Sequence, residues 1–403
     1  MDTLQKLDIL GASADYDICS PGSQQTGLFP TAAGRRRGIP GVYQSTVSRG
    51  QKLALLKVLF TNVCEKDCAY CAFRAAKDGV RTSFQPEELA RTFVDMHDAG
   101  LVDGLFLSSG VAGSADMTME RMLQTVEIIR KTHRFQGYVH VKVLPGAKLE
   151  YVEWAARLAS RLSININMEA PTAGHLAKLT SAKDLDQDIL RRMRWIAALR
   201  DEDGLLPSGQ TTQFMVGPAG ESDRDIMRAA AWLYRDLGLS RAYFSAFRPI
   251  EGTPLEGQPA VAPQREHRLY QMDWLQRHYP FDEDELALAF REDGNLDLEA
   301  DPKEVIASRC PEIYPVEVNV APLHLLLRVP GIGPVSGARI VAMRREHRFS
   351  TAEQLRKVGV VTARALPFLT VAGRQIKNSP AWYCRRAPAK RHQAEGYQLS
   401  FDF

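Results

Sequence analysis

Three cysteines within eight residues, Cys64, Cys68 and Cys71, are the strongest chemical signal in the chain. They follow an apolar run, Leu53 to Phe60, that reads as a buried strand. Thiolates on so short a loop cannot point apart, so they suit one compact metal centre. A structural zinc ion would want a fourth ligand, usually from a second pair, and Cys19, Cys310 and Cys384 supply no C-x-x-C partner. A four-iron cluster held by three cysteines leaves one iron without a protein ligand, open to a small molecule. Zinc, or a chance grouping, is the competing account of the same residues.

The spacing C-x3-C-x2-C, with Tyr70 just before the last cysteine, resembles the radical S-adenosylmethionine (SAM) enzymes. The resemblance implies that Cys64, Cys68 and Cys71 hold a 4Fe-4S cluster, with Tyr70 beside the cofactors. It implies that the open iron chelates SAM, and that an external electron donor feeds the cluster. Splitting SAM would then give methionine and a 5′-deoxyadenosyl radical that takes a hydrogen atom from substrate.

The elements that must position this loop are legible as an alternation. Short β-rich runs occur at Leu53–Phe60, Val102–Ser109, Tyr138–Leu144, Leu162–Met168, Gln210–Val216 and Arg241–Phe247. Helical spacing separates them, at Pro86–Ala99 (with Gly100 just past its end), Leu185–Leu199 and Arg224–Leu237, and Arg265–Tyr279 follows. Such alternation implies right-handed crossovers and a parallel sheet, open or curled. The radical SAM resemblance favours a partial (β/α)6 TIM-like barrel, and six runs is the matching count.

Two runs carry polar residues at every second position. Tyr138, His140 and Lys142 alternate with three valines, and Ser163, Asn165, Asn167 and Glu169 share one face of their run. A side-chain period of two puts these rows in a shared polar lumen, with the valines against helices. The alternative is an antiparallel strand with one wet face. His140, Lys142 and Glu169 are candidates for moving protons there, or for holding SAM.

The family resemblance assigns further positions. Ser109 and Gly110, in Ser108-Ser109-Gly110-Val111, stand where the family carries a Gly-Gly-Glu-like segment for the amino group of SAM; the first Gly and the acid are absent here. Asn167 and Glu169 fall where the ribose or methionyl part is held, and Gln213 and Gly217 where a glycine-containing turn supports adenine. Arg248 could meet an anionic substrate group. Apart from the resemblance, Cys19 is a candidate hydrogen-atom donor or ligand, with plain burial as the competing account.

A net charge of +3 conceals segregation. Between Arg328 and Arg391 there are 14 Lys plus Arg against two acids, a balance of +12 that leaves −9 for the rest. Phe281 to Glu304 is the reverse, with ten acids against Arg291 and Lys303. The basic stretch points to a polyanionic partner. It contains Val329-Pro330-Gly331-Ile332-Gly333-Pro334, followed by Ala338, Ile340 and Val341 at helical spacing, which is similar to a helix–hairpin–helix motif. A degenerate second copy runs through Phe349, Leu355 and Val358-Gly359-Val360. Glycines in such a turn expose backbone N–H groups to a phosphate oxygen. Arg328, Gly331, Ile332, Gly333, Arg339 and Arg344 are the expected DNA contacts, to the duplex backbone and not to its sequence. The final Gln398-Leu399-Ser400-Phe401-Asp402-Phe403 is similar to the peptides that dock on the replication sliding clamp.

The chain is thus expected to be α/β, with an irregular N-terminal segment (1–50), a radical SAM barrel (51–280), an acidic connection (281–316), a small all-α helix–hairpin–helix domain (317–376) and a basic tail (377–403). No apolar run of about 18 residues or secretory leader is visible, and cysteine usage fits a reducing cytoplasm. Together the three features resemble a family of DNA modification/repair radical SAM proteins, which implies action on DNA and a uracil-DNA-glycosylase-like partner. The rivals are an RNA-modifying radical SAM enzyme and a non-catalytic iron–sulfur DNA sensor or adaptor.

Overall fold

The computed structural model describes residues 1–14, 41–46, 52–164 and 169–375. The chain divides into two units: 1–221 with 228–262, and 222–227 with the residues from 263 onward. The boundaries expected near 280 and 316 fall inside the second unit.

The first unit is built on one seven-stranded sheet in chain order, β1 (Val42–Thr46), β2 (Lys52–Leu59), β3 (Gly104–Ser108), β4 (Tyr138–Val143), β5 (Arg161–Ile164), β6 (Gln210–Val216) and β7 (Arg241–Ala246). Strands β2 to β7 pair in parallel throughout, so the antiparallel alternative for β4 is excluded. Between them run helices α2 (Pro86–Asp98), α3 (Ala115–Glu127), α4 (Leu149–Leu158), α5 (Ala173–Ala177), α6 (Arg191–Asp203) and α7 (Asp223–Asp236). The curled α/β sheet is the expected fold class.

Local chemistry explains where helices start and stop. Pro86 opens α2 with its φ already helical, and Gln85 donates its N–H to Glu88 Oε2 at 3.1 Å. Gly100, at φ +69°, ends the same helix in a conformation that costs glycine little. Ser114 Oγ caps α3 by accepting the Met117 N–H at 3.1 Å.

Packing follows the period-two rule. Val139, Val141 and Val143 of β4 are fully buried, as are Leu105 and Leu107 of β3 and Leu56 and Val58 of β2. The helices present matching buried side chains, such as Phe93 of α2, Leu123 of α3 and Ile196 of α6. Each fully buried Leu, Val or Phe contributes roughly 1.5–3 kcal/mol.

Among the described residues of the segment 1–50, expected to be irregular, are two regular elements. Helix α1 (Thr3–Ala14) buries Leu7, Leu10 and Ala14, and ties to α2 through Lys6 Nζ–Glu88 Oε2 at 2.7 Å. Its apolar spacing is short and interrupted by Gly11 and Ser13, so only the packing partner makes it a helix. Strand β1 pairs antiparallel with β2, with Tyr43 opposite Leu55; backbone pairing to an existing edge needs little sequence signal.

The second unit is mainly helical. It comprises α8 (Pro263–His278), α9 (Glu283–Ala287), α10 (Pro302–Arg309), α11 (Leu323–Leu326), α12 (Pro334–Met343), α13 (Ala352–Lys357) and α14 (Thr362–Ala365). A small sheet of β8 (Val316–Glu317), β9 (Leu369–Val371) and β10 (Arg374–Gln375) joins them. Among the described residues no helix is long and apolar enough to cross a membrane.

Gly104 marks where the sheet tolerates no added atom: a Cβ there would lie 2.6 Å from the Tyr138 carbonyl and 3.0 Å from Leu55. Gly104→Ala is expected to lower stability by about 1–3 kcal/mol, measured by chemical denaturation.

Candidate functional site

The cysteine loop leaves the C-terminal end of β2 and is tied down on several sides. Arg81 donates to four backbone carbonyls, those of Asn62 (2.6 Å), Phe73 (3.2 Å), Arg74 (3.1 Å) and Lys77 (2.7 Å). Asp67 accepts from the Ser181 N–H (3.0 Å) and hydroxyl (2.6 Å), the Ala182 N–H (3.3 Å) and the Thr180 hydroxyl. Burial alone would raise the Asp67 carboxyl, but these hydrogen bonds outweigh it and hold its pKa well below the usual carboxylate range. Glu65 donates its N–H to the Val111 carbonyl (2.9 Å), and Ala69 donates to Leu179 (2.7 Å).

Cys68 is buried, while Cys64 and Cys71 are half-buried. Burial raises the Cys68 thiol against the pull of Lys183. Burial and then Cys68 push Cys71 up to about 12. Thiols so crowded resist becoming three bare anions, and a bound cation relieves that repulsion. No group of three or more His, Cys, Asp or Glu among the described residues is gathered for a single metal ion. Cys310, the fourth described cysteine, belongs to the second unit, and Cys19 and Cys384 lie outside the described residues. Three soft donors on one loop, with no fourth from their own unit among the described residues, fit an iron–sulfur cluster better than closed tetrahedral zinc.

Beside the thiols is a buried ion pair that the sequence did not disclose. Lys183 Nζ stands 3.5 Å from Glu169 Oε1, with both side chains essentially out of solvent. Burial opposes the Lys183 charge, but Glu169 and Cys68 more than offset it, so its pKa sits above the ordinary value. Burial pushes the Glu169 carboxyl up against the pull of Lys183. Tyr70 is raised well above its usual value by burial and by Glu169. Glu169 adopts φ +47°, left-handed for a non-glycine residue, and is fixed to β6 by its N–H to the Gln213 carbonyl (3.1 Å) and by the Met215 N–H to its own carbonyl (2.9 Å). The structure thus groups Glu169, Tyr70 and Lys183 around Cys68. A lone lysine with no motif around it offered no signal for this.

The other expected cofactor positions have definite surroundings. Gly110 donates its N–H to the Thr61 carbonyl (2.8 Å), and a Cβ on it would meet the Val63 carbonyl at 2.3 Å and Cys64 Cβ at 3.1 Å. Its glycine character is therefore required by the cysteine loop itself. Ser109 is buried. Gly217, at φ +102°, gives its N–H to the Glu221 carboxylate, which also accepts from Ala219 at 3.1 Å. Arg248 is exposed, and Asn165 and Asn167 lie outside the described residues.

The polar row of β4 faces a cavity, and of the second expected row Ser163 joins it while Glu169 is not among the lining residues. Tyr138, His140 and Lys142 of β4 line it with Ser163 of β5 and Gln213 of β6, while their valine neighbours face the helices. His140 Nε2 and Ser163 Oγ share a 2.9 Å hydrogen bond. Burial first, then Arg161 and Lys142, hold the His140 pKa well below 6.5, so the ring is neutral at pH 7.

In the second unit the two hairpins pack against each other. Gly331 (φ +79°) and Gly359 (φ +93°) occupy equivalent turns, and the Val361 N–H donates to the Gly331 carbonyl at 3.0 Å. The expected exposure of successive turn amides needs correcting. Ile332 donates its N–H to Val329 (3.1 Å) and Gly333 donates to Ser336 Oγ (2.9 Å), because so tight a turn closes its own bonds. Arg328 pairs with Glu285 at 2.7 Å, and Arg344 donates to the Val318 (2.9 Å) and Ala321 (2.6 Å) carbonyls, whereas Arg339 is exposed. Lys303 braces the turn through the Ile332 carbonyl at 2.6 Å, and burial lowers its pKa to about 7. The clamp-like terminal peptide, 398–403, lies outside the described residues.

Asp67→Asn is expected to cost about 1–3 kcal/mol through lost charge-assisted hydrogen bonds. The folded Asp67 pKa lies below the unfolded value of about 4, so the unfolded chain takes the proton first. The stability gap to wild type is therefore full above that pH and closes as acid is added, which urea titrations across pH will read. Gly331→Ala puts a Cβ 2.5 Å from the Val361 carbonyl at a left-handed φ. It should lower the melting of the second unit by roughly 1–3 kcal/mol, read by calorimetry.

Residues 58–233 match the family described as the radical SAM superfamily, and residues 312–367 match the helix-hairpin-helix motif. Among solved structures, methylornithine synthase (PylB) is 15% identical, covering 55% of this chain and 62% of its own, at a TM-score of 0.43. The FeFe-hydrogenase maturase HydG from Carboxydothermus hydrogenoformans is 15% identical over 52% of this chain and 48% of its own, with a TM-score of 0.41. The radical SAM methyltransferase TsrM from Kitasatospora setae is 16% identical over 49% and 35%, with a TM-score of 0.37. In each case this chain spans less than two thirds of the other protein. The parallel strand order, the three-cysteine loop after β2 and the family match lead to one assignment: residues 58–233 are a radical SAM superfamily region, and residues 312–367 carry a helix–hairpin–helix motif.

Proposed function

We propose that this chain is a radical SAM enzyme acting on DNA, modifying or repairing a base or lesion. Cys64, Cys68 and Cys71 would hold a 4Fe-4S cluster, and Tyr70, Ser109, Gly110, Glu169, Gln213 and Gly217 would surround SAM. When bound, cluster and SAM together supply hydrogen-atom abstraction from substrate. What supports this reading most is the loop of three crowded thiols at the C-terminal end of the first parallel strand.

The chain's own residues have separable tasks. Asp67 and Arg81 tie down the backbone of the loop that carries the three cysteines. The Lys183 charge offsets the negative charge of thiolates and Glu169 in a site largely closed to water. Neutral His140, bonded to Ser163, gives the lumen a hydrogen-bonding group that carries no charge. In the second unit Arg339, Arg345 and Arg348 are exposed and available to a phosphate backbone. A base held in a duplex stack could not enter a lumen, so the substrate nucleotide must be unstacked.

Anaerobically reconstituted protein should carry roughly four irons per chain. After reduction it should form 5′-deoxyadenosine from SAM, and Cys64→Ala, Cys68→Ala and Cys71→Ala should each abolish that product. Deuterated duplex DNA should pass label into 5′-deoxyadenosine. Competition won by folded RNA would replace DNA by RNA as substrate, and DNA binding without 5′-deoxyadenosine would leave a cluster-containing sensor.

A further inference from the structure

Lys183 reaches the cysteine loop through backbone ties. Leu179 accepts the Ala69 N–H (2.7 Å), and Ser181 and Ala182 give their N–H groups to Asp67 (3.0 and 3.3 Å). Lys66 Nζ donates to the Ala182 carbonyl at 3.1 Å. The next residue is thereby delivered to the sulfurs, with its side chain fully out of solvent.

Its ammonium is incompletely used there. Glu169 Oε1 is 3.5 Å away, longer than the roughly 2.7–2.9 Å of a tight charge-assisted hydrogen bond. Among the described residues neither Lys183 Nζ nor Glu169 Oε2 completes a hydrogen bond. A buried ammonium with donors unspent costs free energy that an apolar side chain would not, so packing alone does not call for it. The sulfurs are what its charge reaches. Burial dominates at the Cys68 thiol, and of the charges acting on it the pull of Lys183 exceeds the push of Glu169. Lys183 acts in the same sense on Cys71.

A 4Fe-4S cluster gains one negative charge on reduction, and its potential follows the charges and hydrogen bonds presented to its sulfurs. A fixed cation in a water-poor site favours the reduced form, because little solvent is present to screen it. We propose that Lys183 sets the reduction potential of the cluster held by Cys64, Cys68 and Cys71, its ammonium beside Cys68 making the cluster easier to reduce. The proposal rests on the iron–sulfur reading above. The step it governs passes one electron from a one-electron donor to the cluster. The donor is oxidised and the cluster reduced, and no proton or covalent bond is exchanged.

The test is a redox titration of the full, anaerobically reconstituted chain without SAM, read by the electron paramagnetic resonance signal of the reduced cluster. Iron and sulfide are measured on each preparation. Lys183→Met and Lys183→Gln should each lower the reduced-to-oxidised ratio at a given potential by at least about tenfold, a shift of about 59 mV to more negative potential. Lys183→Arg, which keeps the charge, should stay near wild type. Either neutral variant with full cluster content and wild-type potential overturns the proposal. So does an Arg variant that shifts as far as the neutral ones. Loss of the cluster from both neutral variants overturns it too, since Lys183 is then needed for assembly. Wild-type protein that holds zinc or no cluster removes the iron–sulfur reading itself. A cluster of unchanged potential that still yields 5′-deoxyadenosine on adding SAM removes this proposal alone.

Discussion

Crowding three thiols on one short loop is the constraint on which the rest of the first unit depends. Burial and mutual proximity keep the Cys68 and Cys71 thiols from ionising, and the loop that carries them is held by other groups. Arg81 gathers four carbonyls and Asp67 collects donors from residues 180–182, so the backbone is set by groups other than the cysteines. Lys183 then brings a positive charge to the sulfurs at the cost of burial, and Glu169 stabilises that lysine in turn. Even Gly110, on the neighbouring loop, is small because the cysteine loop passes against it.

The sheet beneath serves two environments with one repeat. A parallel strand normally buries apolar side chains on both faces. In β4 only the valine face follows that rule, and Tyr138, His140 and Lys142 turn inward to a polar cavity. Keeping a neutral histidine between Lys142 and Arg161 limits the charge the lumen must carry, since burial and both cations disfavour its protonation. Chemistry inside and packing outside are thereby separated residue by residue.

The second unit shows how a strongly basic segment is kept folded. The acidic residues from 281 to 304 do not form a loose connection: Glu285 pairs with Arg328, and Asp301 both caps α10 and pairs with Arg364. These contacts consume part of the +12 balance and leave Arg339, Arg345 and Arg348 exposed on the surface. Buried Lys303 fastens the hairpin turn from α10, so the acidic stretch contributes directly to the shape of the hairpin.

Much of this was legible in the amino-acid order alone. The six β runs, the alternating polar row of β4 and both glycine hairpins are local patterns, set by side-chain period and turn geometry, and the described strands and turns overlap them. What the order could not reveal depends on residues far apart in the chain. The Glu169–Lys183 pair, the Asp67 grip on residues 180–182, the edge strand β1 and the internal bonds of Arg328 and Arg344 exist only once the units have folded. A charged side chain reads the same in sequence whether it meets solvent, a carbonyl or a carboxylate. Tertiary structure decides among these, because burial sets the cost of each charge and proximity sets its partner.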